Sequence, residues 1–409
     1  MKHMDVFCNM YGKRLLVGRI ANVGGGILFQ YAQGFLDSGL LLSPFKLPLQ
    51  LGVFEDERKT FDGLHGLFND SLPDGWGLLL LDRKLKASGV SLQELSPLDR
   101  LALVGTRGMG ALEYEPEDFR VGSDEDLLDL DGLANESRQI LDDGGSLEAV
   151  NTLLRLGGSS GGARPKILCD VRQNDLTIRA SGSEPGFEPW MIKLRGKEDP
   201  SDIGLVEYAY SMAAKEAGVE MPDTCLFPSD ISEGFFGIKR FDRVNSMKIH
   251  THTACGLLHA NHRYPSMTYE GLITLTQLLT KDYREIEKMI RLMVFNVKAD
   301  NMDDHSKNFS FLMDAEGRWK MAPAYDLTPS KGFGGEHSTT VNGKGKNITD
   351  ADLVTVAVHF TSEANIKKII TDVENALQRI PEIMKEAKMK VSVSADAELR
   401  EEDDDGPSP

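Results

Sequence analysis

Cysteine is scarce in this chain and badly placed for chemistry. Cys8, Cys169, Cys225 and Cys255 lie far apart with no Cys-x-x-Cys pair. That argues against a disulfide framework or a zinc ribbon and fits reduced thiols in a cytoplasmic protein. No uninterrupted apolar run approaches the ~18 residues a membrane-spanning helix requires. The opening Met1-Lys2-His3-Met4-Asp5 lacks the basic-then-apolar pattern of a secretory signal. Basic charge is also short: in 409 residues, 46 Lys and Arg stand against 63 Asp and Glu, a formal charge of −17. An acidic surface disfavours direct binding to DNA.

The acidity is concentrated. Glu113 to Glu148 carries thirteen acids against Arg120 and Arg138, and Val391 to Pro409 carries seven against Arg400, which together account for the whole net charge. The charge therefore reads as a connecting segment and a tail, with the remainder neutral. An apolar content of 41% is that of a chain able to bury a core, and the length suggests two or three domains. No internal repeat is found.

Residues 5 to about 55 read as short strands around Val6-Phe7-Cys8, Leu15-Leu16-Val17 and Ile27 to Tyr31, with a turn at Tyr11-Gly12. The pattern becomes helical from Leu64 to Leu85, broken at Pro73-Asp74-Gly75. Gly105 to Leu112 is glycine-rich but leads toward a strand, so turn-making fits it better than dinucleotide binding. Between Ser146 and Arg243, strands are expected at Lys166 to Val171, Leu176 to Arg179, Trp190 to Leu194, Thr224 to Phe227 and Phe235 to Phe241. One helix, Leu205 to Ala217, stops at Gly218. Beyond Asn245 the chain turns helical, notably over Tyr283 to Ala299 and Ile366 to Met389.

Three features carry chemistry. The run Gly157-Gly-Ser-Ser-Gly-Gly-Ala-Arg-Pro-Lys166 lets backbone N–H groups approach an anion. It lacks the GxxxxGK[ST] pattern and precedes a strand, which is how protein kinases cover nucleotide phosphates; a plain hairpin loop is the alternative. Strand alternation puts Trp190, Ile192 and Leu194 on one face and Met191, Lys193 and Arg195 on the other. Lys193 thus sits where a kinase strand lysine would, or simply faces solvent. Glu207, in the first turn of the next helix, is its candidate partner, or an acid favourable to that helix N-terminus. Third, Asn301-Met-Asp-Asp-His-Ser-Lys-Asn308 is the densest polar cluster, and Asp303 and Asn308 have the D-x-x-x-x-N spacing of kinase catalytic loops. Downstream, Asp326 in Tyr325-Asp326-Leu327 can ligate magnesium, with hard oxygen ligands suiting that ion. A metallophosphoesterase cluster of Asp303, Asp304, His305 and Asp326 is a competing reading. His250, His252, His259 and His262 have no recognised zinc spacing and read as a structural, lobe-linking segment.

Together these residues resemble the HipA family of serine/threonine kinases, the toxins of bacterial toxin–antitoxin pairs. The landmarks are Leu47-Pro-Leu-Gln50, Asn69-Asp-Ser-Leu-Pro-Asp74, Ser159 to Lys166, Phe241-Asp-Arg243, Asp303 to Asn308 and Pro323-Ala-Tyr-Asp326. The resemblance implies an autophosphorylated Ser159, with Ser160 beside it as a rival acceptor. It implies a phosphate loop of Gly161, Gly162, Ala163, Arg164, Pro165 and Lys166, and a nucleotide lysine at Lys193. Lys239, Arg240 and Phe241 fall on the adenine hinge, where Lys239 replaces an occasional acid and shifts the expected contacts to main chain. Asp303 falls on the catalytic aspartate. His305, Ser306, Lys307 and Asn308, with Tyr325 and Asp326, fall on nucleotide contacts, and Asn308 and Asp326 also on metal contacts. ATP and Mg²⁺ are the implied cofactors. The implied partners are a helix-turn-helix antitoxin resembling HipB, DNA reached only through it, and a protein substrate carrying Ser or Thr, with an aminoacyl-tRNA synthetase as the family's best-known target class. A nucleotide-binding co-repressor without turnover is the alternative.

The expected fold is α+β and two-lobed, kinase-like. It comprises a β-rich accessory subdomain over 1–112, an acidic connection over 113–145, a nucleotide-binding lobe over 146–245, a helical catalytic lobe over 246–390 and a disordered acidic tail over 391–409.

Overall fold

The computed structural model describes residues 1–117, 127–157, 161–180 and 185–390. Ser159 and Ser160, and the tail from 391, lie outside them.

Strict alternation in His3–Met10 buries Met4, Val6, Cys8 and Met10 on one face, as a half-buried strand requires. It pairs with Lys13–Val23 through a two-residue turn whose Tyr11 and Gly12 both have positive φ, 51° and 76°, the conformation that tight hairpins need. Gly26–Tyr31, Val53–Glu55 and Leu112–Glu115 complete an antiparallel sheet, with Leu112–Glu115 added beside His3–Met10. Its apolar face packs on Phe35, Phe68, Leu98 and Leu101. The helix Pro97–Val104 opens with Pro at its start and a reciprocal Ser96–Asp99 cap.

The segment expected to be a connection is partly built into the fold. Glu113 and Glu115 are strand residues, and Glu113 is buried where it accepts hydrogen bonds from Asn9, Arg14 and Lys248. Leu130–Leu141 is a helix that buries Leu130, Leu133, Ala134, Ser137 and Ile140, an i, i+3, i+4, i+7 stripe that composition alone conceals. It shares a core with Trp76, Leu80, Leu153 of the helix Leu147–Gly157, Ile167 and Trp190. The helix Leu130–Leu141 has two acids, Asp131 and Glu136, both half-buried, and Asp131 accepts from Ser229 Oγ at 2.7 Å and the Asp230 amide at 2.8 Å, so acidity here does not mean absence of structure.

The second sheet runs Thr177–Arg179, Lys166–Arg172, Glu188–Lys193, Phe235–Lys239, Thr224–Phe227, antiparallel throughout. Trp190 and Ile192 point into its core, and Met191 and Lys193 point the other way. The helix Ile203–Glu216 packs across this sheet. At Gly204 an added Cβ would lie 2.2 Å from the Gly234 carbonyl oxygen.

The third unit is helical, with Tyr269–Thr280, Tyr283–Lys298, Asp350–Ala357 and Glu363–Gln378 around a core of Met293, Phe295, Phe311 and Ile369. Helical residues 380–390 turn back onto Ile203–Glu216, Ile383 packing on Ala209 and Ala213. The expected Ile366 to Met389 helix is therefore interrupted at Arg379. A small sheet of His250–Thr253, Ser310–Met313 and Trp319–Met321 carries the loops of the polar cluster.

The accessory unit is docked on the helical one by buried polar contacts. Asp70 accepts from the Thr253 amide at 2.8 Å and bonds His252 Nδ1 at 2.6 Å, and the Gly66 amide donates to His259 Nε2 at 2.9 Å. His250 Nε2 meets the Leu42 carbonyl at 2.9 Å. These three histidines link units and do not converge on one point, and no group of three or more His, Cys, Asp or Glu suited to a metal occurs among the described residues. A Cβ at Gly66 would stand 2.0 Å from the Gly256 carbonyl oxygen. Gly66→Ala is therefore expected to cost about 1–3 kcal/mol, as overpacking does. Thermal unfolding followed by circular dichroism checks this against Gly34→Ala, where nothing lies within 4 Å.

Candidate active site

Register places two lysines face to face: Lys166 and Lys193 are cross-strand partners. Like charges opposed in a sheet repel, and both side chains are buried, so carboxylates must answer them. Glu207 comes from the first turns of the helix Ile203–Glu216, and its Oε1 takes Lys193 Nζ at 3.1 Å and Arg164 Nη1 at 2.6 Å. Asp326 follows the strand Trp319–Met321, with φ at 54°, and its Oδ1 takes Lys193 Nζ as well. Lys193 and Glu207 side chains are only 10% and 5% exposed.

Burial alone would lower the pKa of Lys193, but the Asp326 and Glu207 carboxylates outweigh it and push the value well above the usual. Asp326 shows the converse: burial opposes its charge, while Lys193 and Lys166 hold its carboxyl well below the ordinary range. Lys166, whose Nζ donates to the Gly161 carbonyl at 2.5 Å, has its pKa lowered, first by burial and then by Lys193 despite Asp326.

The loop 301–308 is fixed to the same wall. Asn301 Nδ2 donates to the Asp326 carbonyl at 2.9 Å, and Asn308 Nδ2 donates to the Asp303 carbonyl at 2.8 Å, leaving Asn308 Oδ1 unused by that bond. The Asp303 amide donates to Ser330 Oγ at 2.8 Å while its residue stays exposed. Though the residue reaches solvent, the loops around its carboxylate strip part of its hydration, and this with the charges of Asp326 and Asp304 raises the Asp303 pKa, with His305 opposing. Its neighbour Asp304 is fully buried and consumed internally. It accepts from Tyr269 OH at 2.8 Å, His337 Nδ1 at 3.0 Å and the Thr339 amide at 3.1 Å. A carboxylate so occupied cannot join a metallophosphoesterase cluster, so that reading loses one of its four groups. Ser306 likewise donates inward, to the Ala260 carbonyl at 2.8 Å.

Lys307 Nζ reaches Asp74 Oδ2 at 2.6 Å, and the Gly162 amide donates to Asp74 Oδ1. Pro165 lies in the ladder, its carbonyl accepting from Leu194 at 2.9 Å, with Ala163 and Arg164 between it and Gly162. Tyr325 OH donates to the Lys307 carbonyl at 2.6 Å, and its ring stacks on Phe241 at 5.5 Å. At the hinge, two main-chain donors are already used. The Lys239 and Arg240 amides donate to the Asp223 and Pro189 carbonyls, each at 2.9 Å, so neither is free for a base. Lys239 Nζ is taken by Glu188 at 2.6 Å. His305 sits against His262, ring centroids 5.5 Å apart.

The structure thus brings Gly161, Gly162, Lys166, Lys193, Glu207, Asp303, Lys307, Asn308 and Asp326 into one connected site. Sequence reasoning gave Asp74 no role there; the signal was its place in Asn69-Asp-Ser-Leu-Pro-Asp74, far upstream of every other member. It also passed over Asn301, which ties the two acidic loops together.

Residues 8–115 match the HipA N-terminal domain and residues 158–387 the HipA-like C-terminal domain. The second match alone covers more than half of the chain, which therefore belongs to the HipA family. A curated relative from Sinorhizobium fredii, named "Putative kinase Y4mE", is 25% identical over 354 residues, covering 80% of this chain and 78% of that one. Among solved structures, a chain of the Shewanella oneidensis MR-1 toxin–antitoxin complex of HipA, HipB and operator DNA superposes with a TM-score of 0.67 at 18% identity. That match covers 94% of this chain and 91% of the other. The shared fold is the two-lobed, protein-kinase-like α+β architecture.

Asp242, next to the hinge, is fully buried between Arg240 Nη2 at 2.8 Å and Arg243 Nη1 at 2.6 Å, and accepts from the Gly110 amide at 2.8 Å. Despite burial, the two guanidiniums hold its carboxyl well below the usual range. A depressed folded pKa adds stability that is present above the unfolded value, about 3.9, and is lost as pH falls below it. Asp242→Asn is expected to cost about 3–5 kcal/mol at neutral pH by stranding buried cations. Its thermal midpoint is expected to fall less steeply than wild type below about pH 4, as scanning calorimetry across pH would show.

Proposed function

We propose that this chain is an ATP- and Mg²⁺-dependent serine/threonine protein kinase that acts as the toxin of a toxin–antitoxin module. The observation that carries this reading is the Lys193 ammonium joined to both Glu207 and Asp326, with Asp303 anchored nearby through Ser330 and Asn308. Phosphoryl transfer needs chiefly positioning and charge neutralisation, and these groups supply both. Lys193 would neutralise phosphate charge, Gly161 and Gly162 would line the phosphates, and Asp303 would orient and accept the proton of the attacking hydroxyl. Its raised pKa suits a proton acceptor.

The donor set fits magnesium. Asp326 and the Asn308 amide oxygen would hold it, and an ion of this kind completes its shell with phosphate oxygens and water instead of a protein cage. When bound, it would neutralise the charge on the transferred group. The kinase-named relative supports the activity, and the HipA, HipB and operator DNA complex supports a HipB-like antitoxin that reaches DNA on the chain's behalf. A co-repressor without turnover would share fold and partner, but the complete set of Lys193, Asp303, Asn308 and Asp326 favours transfer. No helix among the described residues is long and apolar enough to cross a membrane.

Asp303→Ala should lower transfer of ³²P from ATP to protein by about 10²–10⁴-fold, the usual contribution of a positioned acid–base group, with an unchanged circular dichroism spectrum. Transfer at the wild-type rate removes Asp303 from this role. We assign self-modification to Ser159, as the resemblance to the family implies. Phosphopeptide mapping after incubation with ATP should find the phosphate there; a phosphate confined to Ser160 or elsewhere refutes the assignment.

A further inference from the structure

The loop that would line the phosphates is not held by its own lobe alone. One carboxylate from the accessory subdomain, Asp74, takes the Gly162 amide with Oδ1 and Lys307 Nζ at 2.6 Å with Oδ2. A residue two further on grips the other end of the same glycine: the Trp76 amide donates to the Gly162 carbonyl at 2.9 Å. Between them Gly75 has φ at +41°, and an added Cβ there would lie 2.5 Å from the Gly162 carbonyl oxygen. Asp74 and Lys307 side chains are only 18% and 16% exposed, so this ion pair is shielded from water. Burial raises the Asp74 pKa, but Lys307 and the Gly162 amide reverse the direction and keep the carboxyl ionised.

A glycine-rich loop has many conformations to lose, and an ammonium on a four-carbon stem has many rotamers. Affinity for a phosphate chain improves when loop and ammonium are already placed; the Gly162 amide itself is taken by Asp74, so the ordering serves the rest of the loop and the remaining Lys307 protons. Asp74 meets this need for both at once, joining a phosphate-loop amide to a side chain of the catalytic loop across 88 and 233 residues of sequence. We infer that Asp74 is a positioning residue of the nucleotide site, through which the accessory subdomain sets the affinity for ATP by holding Gly162 and Lys307 in register. The inference rests on the nucleotide-site reading above. It adds a third structural unit to that site.

Calorimetric titration of the full-length chain with Mg-ATP tests it. Asp74→Asn keeps an acceptor for Gly162 but loses the charge facing Lys307, and should weaken ATP binding about tenfold while the thermal midpoint stays within a few degrees. Asp74→Ser removes both contacts, should weaken binding further, and carries the same test if the amide variant does not fold. Because Asp74 acts partly through Lys307, Asp74→Asn should change affinity by less than about twofold in a Lys307→Met background. Unchanged or tighter ATP binding by both Asp74 variants overturns the inference, as does a loss that adds in full to that of Lys307→Met. A wild-type chain that binds ATP no better than Lys193→Met instead overturns the nucleotide-site reading, and this inference with it.

Discussion

A buried ammonium in a sheet has to be answered by carboxylates, and most of this architecture follows from how Lys193 is answered. Its cross-strand partner is another lysine, Lys166, so the strand pair alone would be a site of repulsion. The penalty for taking such charges out of water is several kcal/mol per ion unless good partners are present. Glu207 arrives from a helix 14 residues on, and Asp326 from the far lobe, 133 residues on. The nucleotide lobe answers part of this charge itself, through Glu207, and draws the second carboxylate from the helical lobe. Closure of the two lobes around one point thus has an electrostatic role before it has a catalytic one.

The accessory subdomain obeys the same logic. Asp70 is buried only because Thr253 and His252 bond it from the helical lobe, and Asp74 only because Gly162 and Lys307 do. Removing either partner surface would leave a poorly hydrated carboxylate without compensation. Close backbone approach at Gly66 against Gly256 and at Gly75 against Gly162 allows these short polar bonds. The three units therefore form one interlocked body, and the first sheet, though remote from the reacting groups, bears on the loop that would hold the phosphates.

Much of this was legible in the residues because it is local. Alternation at Trp190, Ile192 and Leu194 announced which way Lys193 points, and the glycine run next to Lys166 marked a loop with close backbone access. The D-x-x-x-x-N spacing appears as a real bond between Asn308 and Asp303. What could not be read is what depends on distant partners or on phase. The helix Leu130–Leu141 was hidden because the acids of the surrounding stretch dominate its composition while the helix's apolar stripe is visible only at helical period. Asp74 was hidden because its role is defined by Gly162 and Lys307, which no local pattern connects to it. At the hinge, the pairing of the Lys239 and Arg240 amides with Asp223 and Pro189 likewise depends on partners distant in sequence.

Asp303 and Asp304 show most sharply how neighbouring identical side chains come to differ. Asp304 points into the protein, where a tyrosine hydroxyl, a histidine ring and a backbone amide saturate it. Tyr269 is itself bonded by Asn296, and Asn296 accepts from Asn301, whose other bond holds the Asp326 carbonyl. The buried acid is thus the root of a hydrogen-bonded chain that ends at the loop carrying the charge partner of Lys193. Asp303, one residue earlier, is held only through its backbone, by Ser330 and Asn308, which leaves its carboxylate unspent. A group that must exchange a proton cannot be saturated, and a group that must fix a loop cannot be loose. The tight turn in which the His305 amide donates to the Asp303 carbonyl lies between them, and adjacent aspartates supply both roles.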